Sequence, residues 1–363
     1  MKLLFSKNKL LLTLFFLTVI TIIINQFPAF IESFYSVGIY PFIARSMRFL
    51  LGWIPFSVGD IMYGVAGIWA LVKIIQFFIK LRRGQLSNGK WKTSLKKTAM
   101  VAMLIYVLFN WMWAFNYNRL GSAYQFQLKL ARYSQADLEQ FTDTIQSRLA
   151  IICSDSIALK NGLQNNIANI KLECVNDYAL AAKAYPFINY KTLSVKRASL
   201  GSAGNYLGFL GYVNPISLEA QLNQSIPSFF VPYVCCHEMA HQIGYASESE
   251  ANLIGYMTCK QSAQPAFRYS VYYDLMNYAL NEVANRDTSL AKQYFKNLPQ
   301  QVKNDRKLTR AFFNKYKNPV SPLIDWIYDH YLKLNNQPHG KETYNEVVGW
   351  IIAYAKKYGW DKV

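Results

Sequence analysis

The sequence predicts a mostly helical α+β protein, in which three N-terminal transmembrane helices precede a domain with a small sheet and a helical C-terminal half. Two observations predict this architecture. Long apolar runs are concentrated in residues 1–117, which carry 13 Lys or Arg against only two acids. In residues 118–363, a few strand-like segments come before many helix-like ones, an order typical of α+β folds.

Three apolar runs predict membrane spans at about residues 9–27, 60–79 and 98–116. The first contains the uncharged stretch "LLLTLFFLTVITIII", which fits the length of about 20 residues that a spanning helix needs. A cleaved signal peptide is the alternative for this run, and buried core helices are the alternative for all three. The shorter segment Ile39–Trp53 contains two arginines and predicts an interfacial or re-entrant piece.

The charges around these runs predict the orientation of the chain. Seven basic residues lie between Lys80 and Lys97, and three more lie within the first nine residues. The positive-inside rule places both segments in the cytoplasm. We therefore expect a multi-pass protein of the bacterial cytoplasmic (inner) membrane, with the lipid bilayer as a partner and residues 118–363 as an extracytoplasmic domain. The net charge of +18 forms no aromatic-rich basic stripe, so nucleic acid is not an expected partner.

The elements of the second domain follow from local patterns. Ser134–Cys153 predicts an amphipathic helix with Ser134 as its N-cap. Tyr190–Leu200 and Tyr206–Leu218 predict strands that glycines interrupt. After Pro232 the pattern is helical almost to the end of the chain. The helices predicted there are 232–244, 248–260, 269–285, 288–297, 302–315, 320–334 and 342–358.

Five cysteines are spread over this domain: Cys153, Cys174, Cys235, Cys236 and Cys259. Disulfides are permitted outside the cytoplasm, and Cys153–Cys174 is the most plausible pair. Cys235 and Cys236 point about 100° apart on a helix, so both cannot join one metal site. We expect these two to be small buried hydrophobes.

The sequence "HEMAH", His237 to His241, is an HExxH motif. On a helix, residues i and i+4 lie on one face, so both imidazoles can reach one Zn²⁺. Glu238 points into the same cleft and is placed to take a proton from water at the metal. Pro232 in the first turn and Gly244 after the second histidine are typical of the two ends of this helix.

A third zinc ligand is expected because catalytic zinc keeps three protein ligands and one open position. Two acids follow the motif, Glu248 and Glu250, on a helix that can return past the first one. We favour Glu248, because Asn252 then lies one turn later, where a hydrogen bond to a ligand histidine is useful. Glu250 remains the alternative ligand, or it stabilises the helix N-terminus.

This arrangement resembles the gluzincin metallopeptidases, in which HExxH is followed by ExxxD or ExxAD on the next helix. Here Asn252 stands in the place of the usual aspartate. The chain also resembles a bacterial membrane family catalogued as domain-of-unknown-function family 3810. The pieces that carry this resemblance are "IPFSVGDIMY", "FNYNR", "GYVNPISLEAQLN" and "HEMAHQIGYASESEAN". The resemblance implies a zincin-like domain in a membrane-anchored zinc peptidase, and no particular substrate.

Other residues are candidates for substrate binding and catalysis. The stretch before the metal helix borders the cleft in zincins, so Gly208 and Gly211 would let a peptide approach closely, and an exposed Glu219 would bind a substrate amine. A twisted core strand is the alternative there. Tyr272 and Tyr273 are weak candidates for the donor that stabilises an oxyanion, because most tyrosines are packing residues.

Together these patterns predict a membrane-anchored zinc-dependent peptidase that hydrolyses peptide bonds outside the cytoplasm, with Glu238 as the residue that activates water. The alternative is a non-catalytic membrane protein, stabilised by zinc, that acts in envelope assembly or maintenance. An intramembrane protease is disfavoured, because the segment around "HEMAH" is too short and too polar to span a bilayer.

Overall fold

The structure is a computed structural model that describes residues 2–83, 91–340 and 346–363. Its described residues are mostly helical and include one three-stranded sheet. The helices of the first part are α1 (Lys2–Ile24), α2 (Pro28–Phe30), α3 (Tyr40–Gly52), α4 (Val58–Arg82) and α5 (Trp91–Met112). A π-helical segment, Ile31–Ile39, joins α2 to α3.

Two or three helices are long and apolar enough to cross a membrane. Two of them are α4 and the part of α5 from Thr93 to Met112. The third is a pair of helical segments joined by a sharp bend, if the pair is counted as one span. The pair is Lys9–Ile24 with Pro28–Gly52, which meet at 96°. The predicted straight span 9–27 therefore ends early, because Pro28 begins a new helix. Residues 84–90 of the predicted basic loop lie outside the described residues.

Eleven helices follow in the remainder of the described chain. They are α6 (Gly121–Gln125), α7 (Gln135–Ser154), α8 (Ser156–Leu163), α9 (Ile167–Ala184), α10 (Val231–Gln242), α11 (Glu248–Cys259), α12 (Pro265–Arg286), α13 (Thr288–Asn297), α14 (Gln300–Tyr316), α15 (Ser321–Leu334) and α16 (Glu346–Tyr358). The predicted helices are confirmed, with ends shifted by a few residues. For the last one, residues 342–345 lie outside the described part. Ser134 caps α7 in a capping box with Asp137, as the sequence predicts.

The sheet is smaller than the sequence predicts. Its strands are β1 (Val195–Arg197), β2 (Gly211–Val213) and β3 (Ala220–Leu222). They lie in the order β1-β3-β2, with β1 parallel and β2 antiparallel to β3. The two long predicted strands are wrong in extent, because a 3-10 segment, Gly201–Leu207, separates β1 from β2. Gly208 ends that segment in the left-handed conformation, with φ of +80°.

The core is built around two consecutive helices, α10 and α11, in which all twelve residues of each are buried. They pack against α9, α12 and the sheet. The expected Cys153–Cys174 disulfide is wrong, since all five cysteines are free thiols and Cys174 Sγ lies 3.5 Å from Cys236 Sγ. Cys235 and Cys236 are fully buried, which confirms their predicted packing role.

Candidate metal centre

The turn between α10 and α11 brings the two helices together. Gly244 adopts φ of +98°, a conformation that L side chains rarely adopt, and α11 begins four residues later. Gly255 then lets α11 approach α10 closely: a Cβ at this position would lie 3.1 Å from the ring of Tyr233 and 3.4 Å from the backbone nitrogen of His237. Small residues at these two positions therefore place α11 directly against the HExxH helix.

This packing brings His237, His241 and Glu248 to one point. Their potential ligand atoms all lie within 4.8 Å of one another, and all three residues are buried. Glu248 Oε2 is 3.2 Å from His237 Nε2 and 3.5 Å from His241 Nε2. Ligands about 2.0–2.1 Å from a tetrahedral zinc ion would be about 3.4 Å apart, which is close to the spacing found here. The three residues therefore fit a zinc ion.

A second observation supports this fit. Glu248 Oε2 is buried, forms no well-aligned hydrogen bond with a described residue, and faces only the two imidazole nitrogens. A buried charged oxygen without a partner is costly, and a cation at the centre of the three ligand atoms would satisfy it. The other oxygen of the same carboxylate, Oε1, accepts a hydrogen bond of 2.9 Å from Tyr328 Oη. Oε2 is therefore the oxygen of Glu248 that remains available to a metal ion.

Neighbouring groups orient both histidines. His241 donates through Nδ1 to the backbone oxygen of Tyr245 at 2.7 Å, which leaves Nε2 facing Glu248 and available to a metal ion. Asn252 shares a side-chain hydrogen bond with His237 and accepts another from Tyr233 Oη at 3.2 Å. The side chain at 252 thus lies where the sequence analysis expects it, against a ligand histidine.

The electrostatics of the three groups are coupled. Burial alone would raise the pKa of Glu248, but His241 and His237 outweigh it and hold that pKa well below its usual range. Burial would lower the pKa of His241, yet the Glu248 carboxylate outweighs it and raises the pKa to about 9. Burial dominates at His237 and lowers its pKa. These shifts favour an ionised Glu248 carboxylate beside a protonated His241.

Glu238 lies beside the metal centre but is not one of the three converging groups. Its side chain is buried, its Oε2 has no hydrogen-bond partner among the described residues, and burial raises its pKa to about 8. The carboxylate lies against β2: a Cβ at Gly211 would be only 2.5 Å from Glu238 Oε1. Glycine at position 211 is therefore required for the backbone of β2 to approach this carboxylate.

Glu250 points away from the metal centre. Its Oε1 accepts hydrogen bonds from the backbone nitrogen of Ser122 at 2.6 Å and from Ser122 Oγ at 3.2 Å. Arg119 lies nearby, forms a two-bond ion pair with Glu32 and donates to the backbone oxygen of Gly244 at 2.9 Å. Glu250 thus belongs to a buried network that supports the turn after the HExxH helix.

A cavity of about 1020 Å³ opens in front of the metal centre. Both ligand histidines, Glu238 and Glu248 line it, and so do Gly208 and Gly211 on the side of β2. Its other walls come from distant parts of the chain. These are Asp60, Tyr63 and Gly64 of α4, Trp113 and Tyr117 after α5, Asp274 and Tyr278 of α12, and Tyr328 and Tyr331 of α15.

The expected exposure of Glu219 is wrong. The side chain is fully buried and accepts a hydrogen bond of 2.8 Å from the backbone nitrogen of Gly59 at the start of α4. Lys196 Nζ lies 3.5 Å from the same carboxylate. Because the chain turns at Leu218, with φ of +54°, residue 219 faces the first turn of α4 instead of the cleft. It cannot bind a substrate amine from this position.

The expectation for Tyr272 and Tyr273 is also wrong. Neither residue lines the metal cavity; Tyr273 Oη bonds Thr309, and Tyr272 borders a different cavity. The reason is the phase of α12, whose residues Asp274 and Tyr278 share the face toward the metal centre. Adjacent positions on a helix point about 100° apart, so the two tyrosines face other elements.

Two residues that sequence reasoning missed hold Glu248 in place. Tyr328 bonds its carboxylate, and Gln337 Oε1 accepts from its backbone nitrogen at 3.0 Å. Both belong to the last third of the chain, and no local pattern marks them.

A family model described as "Protein of unknown function (DUF3810)" matches residues 35–352. The chain belongs to this family. The DUF3810 match runs from the π-helical segment into α16 and includes every residue of the metal centre and every wall of its cavity. No curated protein and no solved structure matches the chain.

Proposed function

We propose that this DUF3810 protein is a membrane-anchored, zinc-dependent peptidase that hydrolyses peptide bonds outside the cytoplasm. The observation that carries the proposal is the convergence of His237, His241 and Glu248 beside Glu238, at one wall of a large cavity. Two imidazoles and one carboxylate are a ligand set of catalytic zinc sites, and the adjacent second acid is placed to act as the general base. A purely structural site has no need of the second acid.

When bound, a zinc ion supplies Lewis-acid chemistry, which polarises a carbonyl group and lowers the pKa of water. The residues of the chain provide the rest. His237, His241 and Glu248 hold the ion, and Tyr328 keeps the carboxylate in its orientation. Glu238 accepts the proton that the attacking water loses, and then passes it to the nitrogen of the leaving amine.

The sheet offers a place for the substrate backbone. β2 lies at the edge of the described sheet and pairs only with β3. Residues of β2 line the cavity, and Gly211 brings the strand against Glu238. An extended peptide that adds to this edge through main-chain hydrogen bonds would pass beside the metal centre, a common mode of peptide recognition.

The location follows from the candidate spans. The C-terminal end of α5 and the N-terminal end of α4 both contact the domain that carries the metal centre, and the basic residues cluster at their opposite ends. The positive-inside rule places those basic ends in the cytoplasm. The metal centre is then outside.

A mixed-peptide assay tests this proposal. The full chain, purified in lipid nanodiscs, is stripped with a chelator, and peptide products are followed by mass spectrometry before and after zinc is restored. We expect cleavage only with zinc, both for the parent and for Glu282→Gln, whose side chain does not line the cavity. Zinc binding that raises the melting temperature without any cleavage would instead support a non-catalytic, zinc-stabilised protein.

A further inference from the structure

Helix α15 exposes an apolar face that no other described element covers. Its stripe of large side chains, each more than half exposed, consists of Leu323, Trp326, Ile327 and Leu334 together with the N-cap residue Val320. The spacing of three, four and seven residues puts the stripe on one side of the helix. Monomeric soluble proteins rarely expose such a continuous apolar patch, so this face marks a contact with another apolar phase or molecule.

The position of α15 identifies that phase. Tyr331 Oη lies 3.2 Å from the hydroxyl of Tyr117, five residues after the end of α5, and Asn336 donates to the backbone oxygen of Tyr117. On the other side, α15 and the first turns of α4 line the same cavity, through Tyr328 and Tyr63. The helix therefore lies where two candidate membrane spans leave the domain.

Helix α15 meets α4 near the first turns of this candidate membrane span. Tyr63 is five residues into α4, so it is about 8 Å along that helix from its beginning. An amphipathic helix at a membrane surface buries its apolar face by about 5–10 Å. The exposed apolar surface of α4 continues from this level, with Val65 and Ile68 each more than 60% exposed.

We propose that α15 lies in the bilayer interface, with the stripe Val320, Leu323, Trp326, Ile327 and Leu334 against lipid. Tyr328, which points about 100° away from Ile327 on the same helix, bonds the candidate metal ligand Glu248. Lipid contact thus fixes one wall of the metal cavity, and the cavity opens at the membrane surface beside the start of α4. This inference concerns lipid contact alone and does not require that the protein cleaves peptides.

The charges of α15 specify the kind of contact. Its polar side carries Asp325, Asp329 and Lys333, and the lysine is already paired with Asp329 at 2.7 Å. Such a helix gains nothing from anionic headgroups, because its own charge balance is not basic. The contact therefore rests on apolar burial, and we expect it in purely zwitterionic lipid and at high salt.

Lipid quenching of a site-specific fluorophore tests the proposal. The full chain is reconstituted in phosphatidylcholine nanodiscs, and a bimane label is placed on Leu323→Cys, on Ile68→Cys of α4, or on Ile157→Cys of α8, which packs on α7 and α12. All three positions are more than half exposed. The labelled parent gives the background, since four of its cysteines are buried and Cys153 is half-buried.

We expect phosphatidylcholine with brominated acyl chains to quench the labels at positions 323 and 68, with little change when salt is raised. The label at 157 should respond to iodide in water and not to the brominated lipid. Three results would overturn the proposal: no lipid quenching at 323, equal lipid quenching at 323 and 157, or none at 68. The first of these, together with iodide protection at 323, would point to a protein partner on α15.

Discussion

The backbone of Gly211 lies against the carboxylate of Glu238, so closely that a Cβ at position 211 would be 2.5 Å from Oε1. Gly211→Ala should therefore displace this carboxylate while the three metal ligands stay in place. Since a shift of about 1 Å at a reacting group can cost about 10² in rate, we expect peptide turnover to fall by about that factor. Zinc content should be unchanged.

Gly201→Ala is the control for this prediction, because Gly201 does not line the cavity. Its φ of +49° makes any side chain strained, but nothing lies within 4 Å of a Cβ there. We expect a loss of roughly 1 kcal/mol in stability and no specific loss of turnover in the folded protein. Equal turnover losses in the two variants would show that Gly211 has no special relation to Glu238.

Glu248 and Glu250 should differ in zinc binding. Glu248→Gln replaces a charged oxygen ligand with a neutral one, so the zinc affinity should fall. Glu250→Gln alters the network around Ser122 and Arg119, which lies outside the cavity, so zinc should stay bound. Elemental analysis measures the zinc content of both purified variants. If Glu250→Gln loses zinc and Glu248→Gln keeps it, Glu248 is not the third ligand.

Tyr328 supports Glu248 through a single hydrogen bond of 2.9 Å. Tyr328→Phe keeps the ring and removes this bond. Loss of a group that orients a metal ligand typically lowers metal affinity by about 10–100-fold, and we expect a loss in this range. Tyr331→Phe is the matched control, because Tyr331 lines the same cavity and bonds Tyr117 instead. Competition with a zinc-selective chelator measures the zinc affinity of both variants. An unchanged zinc affinity in Tyr328→Phe would show that Tyr328 does not support Glu248 as a ligand.

Glu219 should matter for stability. The residue pairs with Lys196 and caps the first turn of α4, all in a buried setting. Glu219→Ala removes the charged partner of Lys196, which keeps its hydrogen bonds to backbone oxygens such as that of Leu51, and breaking a buried ion pair typically costs roughly 3–5 kcal/mol. Thermal unfolding in detergent should show a large fall in melting temperature, against almost none for Glu173→Ala on α9. A small fall for Glu219→Ala would mean that this carboxylate does not hold the sheet to α4.

The convergence of the three candidate metal ligands could be predicted because these residues are close together in the sequence. His237, Glu238 and His241 lie on one helix face, and Glu248 begins the next helix after a turn at Gly244. Such spacing is visible in the sequence because helix geometry alone determines which side chains point the same way. The capping of α7 by Ser134 and the order of the C-terminal helices were predictable for the same reason.

The rest of the site depends on contacts between distant residues. Tyr328 lies 80 residues from Glu248, and the partner of Glu219 in α4 is 160 residues away. The chain contains 26 tyrosines, so composition gives no reason to select Tyr328 over Tyr272. Tertiary packing decides which face of α12 or α15 meets the cavity. Tyr273 precedes the cavity-lining Asp274 by one residue, so its side chain points about 100° away and the prediction for Tyr273 is wrong.

The most direct measurement for the central claim compares Glu238→Gln with the parent, recording bound zinc and peptide turnover on the same purified samples. Glu238 is not one of the three converging ligands, but it is the only acid of the HExxH helix. The substitution keeps size and polarity but cannot accept a proton. We predict full zinc content with turnover lowered by about 10²–10⁴. Parental turnover in Glu238→Gln with zinc bound would contradict the account.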